Sequence, residues 1–294
     1  MSVVTLRSDR PHPPVCAREA PRFERADGVS ELRFAQRNGR ASVSHLFQRA
    51  PCRVLFPNSP ADDLALAVLL TTSGGLAGGD SVHLSIGAEP DVQAVVTTQA
   101  AEKVYRSLGP ETCVEIALTI GSGAWLEWLP QETILFDRAR LRRRTTAEID
   151  RDGRLLAAEM IVFGRTARGE RMSGGLLHDC WTIRVGGRLR WVDALRLDGD
   201  IAHRLDAPAG FDGATAIATA IYVGPDASTL LPLARALALD SDSRAGATLV
   251  GGILLARFIG ADARVLRGDL ATYIAELRRA AAGLPARVPR LWQT

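Results

Sequence analysis

Glu31–Phe47, ELRFAQRNGRASVSHLF, is the stretch on which the fold turns. Apolar and polar residues alternate on both sides of Asn38-Gly39, and a period of two places successive side chains on opposite faces of an extended strand. An Asn-Gly pair accepts the positive φ values of a type I′ turn, so the stretch predicts a β-hairpin. Outward from it the same pattern recurs. In SVHLSIG, Val82, Leu84 and Ile86 share a face opposite His83 and Ser85. In TCVEIALTIG, Val114, Ile116, Leu118 and Ile120 oppose Cys113, Glu115, Ala117 and Thr119. Further strands are predicted in AWLEWLPQETILF, RLRRRTTAEID, RLLAAEMIVFG and TAIATAIYVG, and a second hairpin in CWTIRVGGRLRWVDALRL, turning at Gly186-Gly187.

Helical spacing appears only late. DASTLLPLARALAL offers Asp226 as N-cap, with Pro232 blurring the start. In DARVLRGDLATYIAELRRAAAG, Leu266, Leu270, Ile274 and Leu277 fall on one helical face and Gly283 supplies a stop. Residues 1–28, rich in Arg and Pro, predict a flexible N-terminal extension, and residues 29–294 a single mainly β domain with two α-helices near the C-terminus.

Composition narrows the function. With 36 basic and 33 acidic residues the net charge is +3, which does not suggest a nucleic-acid binder. Arginine carries nearly all the positive charge, Lys103 being the lone lysine. No apolar run reaches the length of a membrane span, and the start MSVVTLRSDRPHPPVC lacks a signal-peptide core. Cys16, Cys52, Cys113 and Cys180 show no CxxC and no zinc spacing, so reduced thiols in a cytoplasmic protein are expected.

The glycine-rich stretch TTSGGLAGGDSVHL (Thr71–Leu84) is not a phosphate cradle. Asp80 follows Gly78-Gly79 where a P-loop places Lys, and a strand pattern follows where a helix N-terminus would bind the anion. Tight turns at Gly74, Gly75, Gly78 and Gly79 explain the glycines, and Asp80 reads either as an Asx-turn former or as a ligand. Glu127, Glu132 and Glu159 stand among apolar and aromatic residues, where a buried carboxylate requires an arginine, backbone N–H groups, a shared proton or a metal. In His178-Asp179-Cys180 only the first and third side chains share a strand face, which leaves a structural zinc site unsupported. His12 in RPHPP reads as a solvated tail histidine. No nucleophile elbow is present. The basic strand Arg140, Arg142, Arg143 and Arg144 has few aromatic neighbours and reads as a solvated or protein-docking face.

Five motifs in order carry a resemblance: SGGLAGGD (Ser73–Asp80), TTQAAEKVYRS (Thr97–Ser107), WLEWLPQETILFD (Trp125–Asp137), EMIVFGRTARGE (Glu159–Glu170) and PRLW (Pro289–Trp292). Together they resemble the urease accessory protein UreD (UreH) family, from about Val29 to the C-terminus. The resemblance implies a layered, β-helix-like, many-stranded domain with two helices and no enzymatic activity. It implies a cytoplasmic scaffold that docks on apo-urease with UreF and UreG and assists nickel delivery. No cofactor is then bound stably, and nickel is cargo in transit. On this reading Asp80, Glu132, Glu159 and Glu127 line an acidic passage, the four glycines bring strands together, and the arginine strand and C-terminal helices dock partners. Oxygen ligands suit a conduit because they hold Ni²⁺ less strongly than imidazole or thiolate. Many relatives carry His-Pro-Pro before the first glycine pair; Thr71-Thr72-Ser73 stands there instead, so no histidine contact is implied.

Two other readings compete. A pure adaptor would hold the same partners with no metal passage. A carboxylate-based carbohydrate-active enzyme would need stacking platforms, yet the chain has five Trp and three Tyr, and Trp125 and Trp128 fall on opposite strand faces.

Overall fold

The computed structural model describes residues 25–293, so His12, Cys16 and most of the expected N-terminal extension lie outside the described residues. The chain begins with the hairpin β1 (Asp27–Arg37) and β2 (Arg40–Arg49), turning at Asn38 and Gly39 with φ of 51° and 75°. The first strand thus takes in Asp27 and Gly28, two residues earlier than expected.

The path then alternates between two sheets. The strands are β3 (Cys52–Leu55), β4 (Ala65–Thr71), β5 (Ser81–Ala88), β6 (Gln93–Thr98), β7 (Glu102–Val104), β8 (Thr112–Ile120), β9 (Trp125–Leu129), β10 (Thr133–Leu135), β11 (Arg140–Ile149), β12 (Arg154–Phe163), β13 (Gly174–Val185), β14 (Arg188–Asp200), β15 (Ala216–Val223), β16 (Arg244–Val250) and β17 (Ile253–Gly260). The first sheet runs β14-β13-β11-β8-β5-β1-β2 and the second β16-β17-β15-β12-β9-β6-β4-β3. In the middle of the chain each turn contributes one strand to each sheet, and β1, β5, β8, β11 and β13 are parallel neighbours, as are β4, β6, β9 and β12. That is a β-helix-like stack, with β7 and β10 forming a short side wall. Antiparallel pairs close the ends, including the hairpin β13–β14 at Gly186-Gly187.

Two predicted helices form: α2 (Ala227–Leu239), with Pro232 in its interior, and α3 (Ala263–Ala282). Asp262 caps α3 by accepting from the Arg264 and Val265 amides, and Gly283 ends it at φ 66°. Leu266, Leu270, Ile274 and Leu277 are at most 1% exposed. Burying each contributes roughly 1.5–3 kcal/mol, which pins α3 to the outer face of the second sheet. A third helix, α1 (Ile201–Asp206), went unforeseen because six residues are too short to display a helical period. No helix among the described residues is long and apolar enough to cross a membrane.

Three large apolar cores and a small fourth cluster of Cys52, Leu76 and Val82 result among the described residues. One lies between the sheets around Ile116, Trp128, Trp181 and Leu155. Another lies between the second sheet and the helices. The third packs Leu141, Ile161, Phe163 and Leu177.

Candidate functional site: an ion cluster between two cavities

Along β12, inward-facing Leu155 and Ala157 belong to the first inter-sheet core and Ile161 and Phe163 to the third, with Glu159 between them. The facing sheet repeats the order. On β11, Leu141 lies on one side of Arg143 and, past the buried Thr145, Ala147 on the other; on β13, Trp181 and Leu177 flank Asp179. Strand alternation and parallel register place Arg143 beside Asp179. A single polar layer therefore separates the two apolar cores.

The guanidinium of Arg143 donates to Asp179 through Nε (2.9 Å to Oδ1) and Nη2 (2.7 Å to Oδ2). Its Nη2 also lies 3.0 Å from Glu159 Oε2, and its Nη1 donates to Thr133 Oγ1 at 3.3 Å. Trp181 Nε1 donates to the same Glu159 oxygen at 2.8 Å. Side-chain exposure is 7% for Arg143, 5% for Glu159 and 11% for Asp179. Burial raises the Glu159 pKa above the usual carboxylate range, against the attraction of Arg143, with Asp179 adding to the rise. For Arg143 burial works against the charge, but the carboxylates of Asp179 and Glu159 outweigh it and keep the guanidinium ionised.

Two cavities open on this cluster. The first, of about 180 Å³, is bounded by Cys52, Gly75, Glu102, Trp128 and Gln131 among others. The second, of about 330 Å³, is bounded by Asp193, Leu195, Phe211, Thr219 and Arg257. Arg143 and Glu159 line both, and they are the shared residues of the two linings. Glu159 Oε1 and Trp128 Nε1 are buried outside strict hydrogen-bonding geometry, although the Trp128 indole still favours the ionised Glu159 carboxyl. Unpaired buried polar atoms are costly; Glu127 Oε2 beneath α3 is equally unpaired, but Glu159 is the one of the two carboxylates that borders both cavities.

Glu102 belongs to the first cavity and was not singled out in the sequence. Its Oε2 accepts from Thr71 Oγ1 at 3.1 Å, and the Lys103 backbone amide and side-chain charge also favour its ionised form. Burial pushes its carboxyl up to about 7, against the Thr71 hydrogen bond. Cys52, in the same wall, is pushed up to about 11 by burial and then by Glu102, so its thiol stays protonated.

The other candidate carboxylates lie elsewhere. Asp80 accepts from the Ala26 amide (2.9 Å, Oδ1) and the Ala77 amide (2.7 Å, Oδ2), tying the glycine loop to the start of β1. It borders neither inter-sheet cavity. Glu127 projects from β9 to the opposite face, beneath α3, where it is 0% exposed. Arg278 Nε donates to it at 2.6 Å and Trp125 Nε1 at 2.9 Å. Burial raises its pKa, with Arg278 opposing. Glu132 pairs with Arg267 of α3 at 2.7 Å and lines an open groove beside that helix.

Of the glycines, Gly74 and Gly75 border the first cavity. A Cβ on Gly75 would meet the Lys103 carbonyl oxygen at 2.8 Å, and one on Gly78 the Ser107 hydroxyl at 2.2 Å. The loop adds Leu76 as a further rung against Val104, an approach that side chains at these glycines would block. Gly79 takes a φ of 95°. In the arginine strand, Arg140, Arg142 and Arg144 face outward while Arg143 points into the molecule and is unavailable to a partner. Arg142 Nη1 donates to His178 Nδ1 at 2.7 Å, leaving the His178 Nε2 proton toward Cys180 Sγ at 3.1 Å. Among the described residues no group of three or more His, Cys, Asp or Glu side chains is gathered for a metal.

Comparison with known proteins adds an independent observation. Residues 26–293 match the family model described as UreD urease accessory protein. The chain is 45% identical over 273 residues to the urease accessory protein UreD of Magnetococcus marinus, covering 90% of this chain and 93% of that one. It is 44% identical over 281 residues to the urease accessory protein UreD 1 of Methylobacterium radiotolerans, covering 94% of each. The corresponding protein of Azorhizobium caulinodans is 41% identical over 275 residues, or 93% of this chain and 98% of that one.

Proposed function

Given that the chain belongs to the UreD family of urease accessory proteins, and so takes part in urease maturation, we propose that it is a non-catalytic cytoplasmic scaffold for nickel delivery. In this reading it docks on apo-urease with UreF and UreG and lets nickel pass between its two sheets. The observation that carries the proposal is the meeting of two cavities at one buried cluster of carboxylates and an arginine. Oxygen donors hold borderline Ni²⁺ less strongly than imidazole or thiolate, firmly enough to admit the ion and weakly enough to release it. Glu102 adds a carboxylate on the wall of the first cavity, attracted by neighbouring Lys103 but held by Thr71 and in no ion pair among the described residues. Arg140, Arg142 and Arg144 on the outer face, and exposed apolar residues such as Phe47, Leu55 and Phe56, are the surfaces offered to partners.

A pure adaptor is the second reading, favoured by the structural engagement of Asp80 and Glu127. The test begins with urease activity and urease-bound nickel in cells expressing urease and the other accessory proteins, with and without this chain. Both are expected to fall together in its absence. The passage is then tested by Thr219→Trp, which puts an indole into the second cavity on the same strand row as Glu159. A passage predicts assembled complexes that leave urease nickel-poor; an adaptor predicts normal loading.

A further inference from the structure

The junction between the cavities is occupied by a charge of the same sign as the cargo. Arg143 is held by a two-point contact to Asp179 and a third contact to Glu159, and it faces both cavities. A divalent cation meeting that guanidinium is repelled in a medium of low dielectric constant, where the repulsion is poorly screened. Yet Arg143 cannot simply withdraw. Its departure would leave Asp179 and Glu159 as buried carboxylates with no counter-charge, a strongly unfavourable arrangement.

Both constraints are met at once if one cation replaces the other. Asp179 and Glu159 approach from facing sheets, on β13 and β12, so their oxygens converge on the space the guanidinium fills. Glu159 brings a second oxygen, Oε1, that is buried and is bound neither by Arg143 nor by Trp181, both of which contact Oε2. Thr133 already accepts from Arg143 Nη1 and borders the first cavity, so the displaced side chain has a hydrogen-bond partner and free volume on that side.

We propose that Arg143 is a resident counter-cation that closes the passage by occupying an Asp179–Glu159 seat, and that it yields this seat to a divalent cation in transit. The inference rests on the passage reading and names its gate. The exchange keeps the buried layer compensated throughout, so the seat is never bare and nickel does not move through an idle chain.

The experiment uses the full chain, purified with its bound partners, and Ni²⁺ as the probe, with Mg²⁺ as the control. Arg143→Met removes the resident cation and leaves both carboxylates. The variant is expected to gain one Ni²⁺ site at least about tenfold tighter than any in the wild type, because the competing charge is gone. Its lowered melting temperature is expected to rise with Ni²⁺ and not with Mg²⁺, and Arg143→Met with Glu159→Gln is expected to lose both effects. A variant that binds nickel no better than wild type, or whose added site survives Glu159→Gln, overturns the gate. Should Arg143→Met fail to fold, Arg143→Lys keeps the charge but loses the fork that grips Asp179. Its nickel affinity is expected to rise several-fold, and an unchanged affinity overturns the proposal equally. Normal nickel loading of urease by Thr219→Trp refutes the passage and the gate with it. A blocked Thr219→Trp beside an unaltered Arg143→Met refutes the gate alone.

Discussion

The molecule carries two buried arginine–carboxylate clusters that serve opposite ends. Beneath α3, Arg278 binds Glu127 and Asp63 and donates to the carbonyls of Pro285 and Arg287. Arg287 adds a second grip on Asp63 at 2.7 Å. Glu127 is sealed, and the network ties α3 and the segment after it to β9 and to the loop before β4. Between the sheets, Arg143, Asp179 and Glu159 involve the same side-chain chemistry, but empty volume adjoins them on two sides. What distinguishes a staple from a gate is therefore not the residues but whether a cation can reach them and whether the arginine has somewhere to go.

The sharpest way to break this comparison is to cut both arginines. Arg278→Met leaves Glu127 buried and uncompensated, and is expected to destabilise the fold by about 3–5 kcal/mol. Chemical denaturation of the complexed chain would measure it, and adding Glu127→Gln should recover much of the loss. Nickel is expected to give no rescue there, in contrast to Arg143→Met. Rescue by nickel at both sites would erase the distinction.

Next in size is the pH response of the first cavity. Because Glu102 is raised from 4.5 to about 7 in the folded chain, the native state holds its proton more tightly than the unfolded state does. Its contribution to stability is complete below pH 4.5 and is lost as pH rises through about 7, a swing of about 3 kcal/mol. Glu102→Gln is expected to flatten that fall, so its stability advantage over wild type should be larger at pH 8 than at pH 5. Melting temperatures at the two pH values decide it; parallel shifts would mean that the cavity wall is wetter than its geometry implies.

Glu159→Gln is expected to have the smallest effect on stability, within about 1 kcal/mol, because Asp179 still compensates Arg143 and the amide oxygen can accept from Trp181 Nε1. Its effect should appear in function, as nickel-poor urease from complexes that still assemble. A large loss of stability would place Glu159 with Glu127 as a structural carboxylate.

Much of this was legible early. The alternation in β5, β8 and β11, both hairpin turns, and α3 with its Gly283 stop follow from local spacing, and the order of five motifs pointed to the family. Glu159 was visible as a carboxylate in an apolar run. Its partners were not, because Arg143 and Asp179 lie 36 residues apart and meet only through the register of two parallel strands. Arg143 was read with its neighbours as surface, although its own alternation with Arg142 and Arg144 already put it on the other face. Asp80 is open in sequence between turn former and ligand, and its link to the Ala26 amide spans 54 residues, beyond what local pattern shows.

By itself, the sequence determined which segments extend, which coil and which side chains have the chemistry to hold a cation. Tertiary structure alone decided which carboxylate meets a cavity. β9 and β12 are buried on both faces, with Glu127 and Glu159 each set among apolar neighbours. A strand covered on both sides has no polar face to betray its orientation. One carboxylate turned toward a helix and the other toward the space between the sheets, and only the packing of those layers told them apart.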